Sequence, residues 1–105
     1  MQVFDVIAQA NELRSSGRLW AEVLRVPAMS AGIYRLSAGA EDPQGPHHEA
    51  EIYYVVGGRA VFEVNGERRS VGSGAAIFVE PEVEHRFRDV AEDLTLLVVF
   101  APAET

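Results

Sequence analysis

The chain of 105 residues is 48% apolar and 24% charged, with sixteen acidic residues against nine arginines, no lysine and a formal charge of -7. One compact domain fits this length, which lies well above the ~40 residues below which disulfides, metals or partners are usually needed for folding. Duplex nucleic acid demands clustered basic side chains and an anionic lipid surface repels net negative charge, so neither is expected as a partner.

Residues 3–14 set Val3, Val6, Ile7, Ala10 and Leu13 at helical spacing, with Asp5 placed as an N-cap and Gly17 just beyond the end. This predicts a short amphipathic helix, within a segment 1–18 that packs on the domain as a lid. The opening MQVFDVIAQA has neither a basic n-region nor a continuous apolar stretch, so it reads as folded N-terminus and a cytoplasmic location is expected. From Leu19 onward, short runs of Val, Ile, Leu, Tyr and Phe are punctuated by Gly, Pro and Asn. Strands are predicted over 19–26, 31–37, 51–56, 59–64, 67–71, 76–79, 85–89 and 94–100. Asn65-Gly66 accepts the two positive φ angles of a type I′ turn and predicts a hairpin between the fourth and fifth of these. The last strand is apolar without alternation, so both its faces should be covered, one by the barrel interior and the other by the N-terminal segment or a second subunit. Residues 102–105 read as a frayed tail. The pattern predicts an all-β jelly-roll barrel over 19–105.

Without cysteine or lysine there is no thiol nucleophile, thiolate metal site, disulfide or Schiff base, which leaves His47, His48 and His85 with carboxylates, tyrosines and arginines. Two stretches concentrate them, one opening Gly45-Pro-His-His-Glu-Ala-Glu51 and closing on Gly58, the other running from Gly74 through His85 to Asp89. The first resembles the first cupin motif, in which histidine precedes glutamate and glycine follows, here His47, Glu51 and Gly58. The second resembles the second cupin motif, with Gly74, His85 and Asp89 at an Asn-type position. The resemblance covers residues from about 30 to 101 and is to small single-domain cupins of the cupin 2, RmlC-like conserved-barrel type. It implies a double-stranded β-helix in which His47, Glu51 and His85 ligate a divalent metal, and a small organic molecule as ligand. Two departures stand out. Gly45 replaces the first histidine of the common HxH pair, so a fourth ligand is missing unless Glu49 or His48 supplies it. Glu80 and Glu82 stand where Pro and Gly are common, so the turn there should be built differently, with Pro81 fixing it.

Geometry constrains this reading. In an extended strand His47 and Glu51 would be ~13 Å apart, too far to share an ion, so the chain must bend between them, although nothing in His48-Glu49-Ala50 forces a bend. Alternation sends His48 to the opposite, exposed face. Glu49 is open to three roles: ligand, acid-base group or solvated rim charge. Tyr34, Tyr53, Tyr54, Phe62 and Phe87 are candidates for lining a pocket or for plain core, and Arg35 and Arg59 for orienting an anion or for solvated surface. Asp89, on the face of His85 and Phe87, would orient a ligand or end the strand. Two imidazoles and a carboxylate suit Fe, Mn, Ni, Cu or Zn. Dioxygenase-like or isomerase-like activity is one expectation; a non-catalytic binding or sensing barrel, whose interior histidines are merely hydrogen-bonded, is the alternative. A homodimer is expected because so small a barrel leaves apolar edges to cover. Segments 41–51 and 80–93 hold ten of the sixteen acids, so the mouth should attract cations and disfavour polyanions.

Overall fold

The structure, a computed structural model, describes residues 1–105. It opens with α1 (Val6–Ser16), bounded as its caps dictate: the Asp5 side chain accepts the Ala8 N–H at 3.0 Å, and Gly17 adopts φ 74°. The helix buries Ala10 and Leu13 against Ile33, with Ala21, Val23 and Leu97 around them. Val3 and Ile7 remain exposed, so the helix buries less of its stripe than the spacing implies.

Six antiparallel strands follow: β1 (Trp20–Val26), β2 (Met29–Leu36), β3 (Ala50–Val64), β4 (Glu67–Gly72), β5 (Ala76–Val79) and β6 (His85–Ala101). Their order is β1-β2-β6-β3-β4, with β5 also paired to β3. The all-β expectation holds, but eight predicted strands become six because 51–56 and 59–64 join in β3, while 85–89 and 94–100 join in β6. Each long strand contributes to two layers. The first half of β3 pairs with β5 and the second with β4, while β6 follows β3 along most of its length.

At the corners the inward face changes parity. Glu51, Tyr53 and Val55 point inward before Gly57-Gly58, Ala60 and Phe62 after it; His85 and Phe87 before Asp89, Val90 and Leu94 after it. The corners rest on positive φ angles, 97° at Gly58 and 48° at Asp89. Gly58 has no alternative, because a Cβ there would lie 2.3 Å from the Asp93 carbonyl oxygen. Asp89 therefore does not share the face of His85 and Phe87: the corner turns it to solvent. Asn65 and Gly66 take φ 48° and 83°, and Val64 pairs with Glu67, as the predicted hairpin requires.

The barrel interior is one apolar cluster in which Tyr53, Val55, Phe62, Phe87, Leu94, Leu96 and Val98 are almost wholly buried. Leu97, on the other side of the last strand segment, meets the helix cluster, so that strand's apolar run is covered on both faces at this point. Outside the sheet, Ile52, Tyr54 and Phe78 are exposed together, since Ile52 pairs laterally with Phe78 and Tyr54 is two residues on.

Candidate metal centre

The connection 37–49 carries His47 to the open end of the barrel, held there by a buried carboxylate that the sequence reading had placed at the mouth. Asp42 accepts hydrogen bonds from the Tyr34 hydroxyl at 2.6 Å, the Phe87 N–H at 2.9 Å, and the Gln44 N–H and side-chain amide at 3.1 and 2.7 Å. Gln44 in turn accepts the Tyr53 hydroxyl at 2.6 Å. The required bend lies at His48 and Glu49, directly before β3. Its supports are distant in sequence. The Glu82 N–H donates to the His47 carbonyl at 2.7 Å, and Glu49 turns inward to accept the N–H and hydroxyl of Thr105 at 3.1 and 3.0 Å.

Glu82 adopts φ 67°. The left-handed turn is thus kept with glutamate in place of glycine, contrary to the expectation that Pro81 would build it otherwise. Its strain, ~1 kcal/mol for a non-glycine residue, is set against the hydrogen bond to His47 and an exposed contact with His48 Nδ1 at 2.7 Å. That contact raises the His48 pKa, chiefly through hydrogen bonding to the Glu82 carboxylate. His48 is exposed, as alternation requires.

His47, Glu51 and His85 converge, one ligand atom from each lying within 4.8 Å of the others. Glu51 and His85 are each 2% exposed, whereas His47 is half-buried at the rim. His85 Nδ1 donates to the Val83 carbonyl at 2.9 Å, which directs Nε2 inward. That Nε2 meets the Tyr53 oxygen at 3.0 Å and Glu51 Oε1 at 3.1 Å. Both Glu51 oxygens are buried, and neither has a polar partner beyond this contact with His85. Burial pushes the His85 pKa down, but Glu51, the Val83 carbonyl and Asp42 together raise it above the usual imidazole value. Burial likewise drives the Tyr53 phenol far above its normal range, with the Glu51 charge adding to the effect.

Beside this cluster is a cavity of about 140 Å³ walled by Trp20, Tyr34, Tyr53, Val98 and Phe100, with Gln44, His47, Glu51 and Glu104 as its polar positions. Tyr34 and Tyr53 thus line it. Phe62 and Phe87 do not: they pack in the core at 4.7 Å centroid separation, behind Tyr53. Glu49 is buried rather than a solvated rim charge, and it lies outside the converging group of His47, Glu51 and His85. Burial pushes its pKa up, but the two Thr105 donors outweigh this and lower it. Arg35 is buried off the cavity, 3.7 Å from Asp93, and Arg59 pairs with Glu92 on the surface. Of the acids assigned to the mouth, Asp42 and Glu49 are consumed internally and Glu92 by Arg59. Of those acids only Glu51 lines the cavity, and the cavity's other carboxylate, Glu104, comes from the tail.

The sequence reading missed Gln44, Trp20, Phe100 and the tail. Residues 102–105 are not frayed: the Glu104 N–H donates to Ser30 Oγ at 2.9 Å, and its carboxylate reaches His47 Nδ1 at 2.9 Å. Burial raises the Glu104 pKa, with His47 opposing and Glu49 and Glu51 adding.

The comparisons agree with this architecture. A family model described as a cupin domain matches residues 32–100. An uncharacterized protein of Streptomyces coelicolor is 38% identical over 105 residues, 100% of each chain. Among solved structures, an RmlC-like cupin from Shewanella frigidimarina is 25% identical with a TM-score of 0.72, covering 80% of this chain and 75% of that one. A conserved protein with a double-stranded β-helix domain from Klebsiella pneumoniae, 20% identical, reaches a TM-score of 0.80 over 97% of this chain and 90% of its own. With the barrel, the converging His, Glu and His side chains and a family match over most of its length, the chain belongs to the cupin domain family.

Proposed function

We propose that His47, Glu51 and His85 hold a divalent metal ion and that a small organic molecule binds beside it in the cavity. The observation that carries this reading is the Glu51 carboxylate, buried with no polar partner other than the inward-turned Nε2 of His85. Such a group is costly unless a cation or proton is shared among these atoms. Two imidazoles and one carboxylate fit Fe, Mn, Ni, Cu or Zn and leave coordination positions for a guest.

The ion would supply Lewis acidity or redox capacity. The chain's own residues do the rest. Trp20, Tyr34, Val98 and Phe100 exclude water from the guest's apolar part, and Tyr53, protonated and locked to Gln44, keeps its oxygen beside His85 without acting as a base. At about 140 Å³ the cavity takes only a small group beside the ion. Two carboxylates and no arginine line it, so even with a divalent ion offsetting their charge nothing is left to neutralise a polyanion. Dioxygenase-like and isomerase-like steps are the reactions to assay; binding without turnover is the alternative.

Elemental analysis of protein purified without added metal tests the site. Stoichiometric metal in the wild type and none in the H47A/H85A double variant supports it, whereas no metal in either overturns it in favour of a binding barrel. We further propose that two copies pair through the apolar face of Ile52, Tyr54 and Phe78. Light scattering should give a dimer for the wild type and a monomer for F78E; a wild-type monomer refutes it.

A further inference from the structure

We infer that Glu104 is a positioning residue for the metal site, fixing the ring of His47 so that its Nε2 is the ligating nitrogen. The inference rests on the metal reading above. The Glu104 carboxylate lies 2.9 Å from His47 Nδ1, a carboxylate-imidazole contact that places the ring proton on Nδ1. The other nitrogen is free by comparison: His47 Nε2 is 3.4 Å from Gln44 Oε1, at the outer limit of a hydrogen bond, and that oxygen already accepts the Tyr53 hydroxyl at 2.6 Å. His85 is arranged the same way by a different acceptor, the Val83 carbonyl at 2.9 Å on Nδ1. The two imidazoles therefore share one arrangement, with Nδ1–H directed to an oxygen and Nε2 turned toward the cluster.

Delivery of Glu104 is itself built. Its backbone N–H is tied to Ser30 Oγ, a side chain in a residue only 1% exposed, and the next residue is tied twice to the buried Glu49 carboxylate. This accounts for Glu49 and Ser30, two buried polar residues with no contact to the metal cluster. Their partners are the backbone of the tail, and the tail's one side chain in the cavity is Glu104.

The test compares wild type, E104A and E104Q. Co(II) affinity is measured by competition with a chelating dye, and the His47 tautomer by ¹⁵N chemical shifts of the imidazole nitrogens in chelator-treated protein. Loss of a carboxylate that orients a ligating histidine costs ~10–100-fold in metal affinity. E104A should lose that much and shift His47 toward the Nε2–H form. E104Q, whose amide oxygen still accepts Nδ1–H, should recover most of the affinity and the wild-type tautomer. Equal affinity in wild type and E104A overturns the inference while leaving the metal site standing. E104Q as weak as E104A also overturns it, because a direct ligand role for the carboxylate would give that pattern. Failure of the wild type to bind Co(II) overturns the metal reading itself, and this inference with it.

Discussion

Removal of metal should reverse the sign of the pH dependence of stability. The lever is the pair His85 and Glu51, whose nitrogen and oxygen lie 3.1 Å apart with both side chains 1% exposed. Burial opposes the charged imidazole, yet Glu51, the Val83 carbonyl and Asp42 leave its pKa raised in the folded protein. A group that holds its proton more tightly when folded contributes its full stability below the unfolded value of ~6.5 and loses it as pH rises through the higher folded value. A hydrogen bond to a charged group is worth ~1.5–3 kcal/mol, and at ~4 °C per kcal/mol for a domain of this size the melting temperature should fall by ~6–12 °C between pH 6 and 9. With Mn(II) present the imidazoles must give up their protons to bind, so affinity, and with it stability, rises with pH. At a hundredfold excess over Kd the ion adds ~2.7 kcal/mol. Melting followed by the fluorescence of Trp20, the single tryptophan, beside Phe100, reads both series. The exposed His48 shifts in the same direction, so the series belongs in an H48N background. E51Q should flatten the metal-free profile. A metal-free melting temperature that stays level or climbs from pH 6 to 9 would refute the reasoning, since His85 would then gain nothing from Glu51.

Other outcomes follow from the packing. G58A should lose roughly 3 kcal/mol or more in urea unfolding, since a Cβ 2.3 Å from the Asp93 carbonyl oxygen moves backbone and the φ of 97° is strained besides. D42A should cost ~3–5 kcal/mol, by leaving the buried donors of Tyr34 and Phe87 unpaired, and D42N distinctly less; a mild effect of D42A would show that water replaces the carboxylate. L13A should cost ~2–4 kcal/mol by emptying the seam between α1 and Ile33 while leaving Mn(II) affinity unchanged, because the helix lies outside the barrel and the ligands inside.

How much of this was legible in the sequence depends on where each residue's partner lies. Asp5 and Gly17 act within one helical turn and Asn65-Gly66 within one hairpin, so local chemistry predicts them correctly. Glu51, Tyr53 and Val55 follow strand alternation, as do His85 and Phe87. Alternation fails at Asp89, where a left-handed residue inside a long strand flips the face, and no local signal separates that from a strand end. The bend at His48 and Glu49 was required by distance but could not be located from its own residues, because its supports are Glu82 and Thr105. For the same reason the role of Glu49 stayed open among three, and the tail, Pro102 to Thr105, looked frayed. Its ordering comes from Ser30, Glu49 and His47, acceptors and partners supplied only by the finished barrel. Asp42 differs again: a carboxylate among polar neighbours reads as surface until Tyr34 and Phe87 close over it.

Strands β3 and β6, each running through both layers, tie the fate of the two layers together. Glu51 is the second residue of one and His85 the first of the other, so each ligand begins a ribbon whose far half is hydrogen-bonded elsewhere. Neither layer can melt alone without tearing the other, and amide exchange in both should proceed only through opening of the whole barrel. The two longest connections, 37–49 and 80–84, carry no ladder and are free of this constraint. Between them they hold one imidazole of the site and the left-handed turn that clasps it.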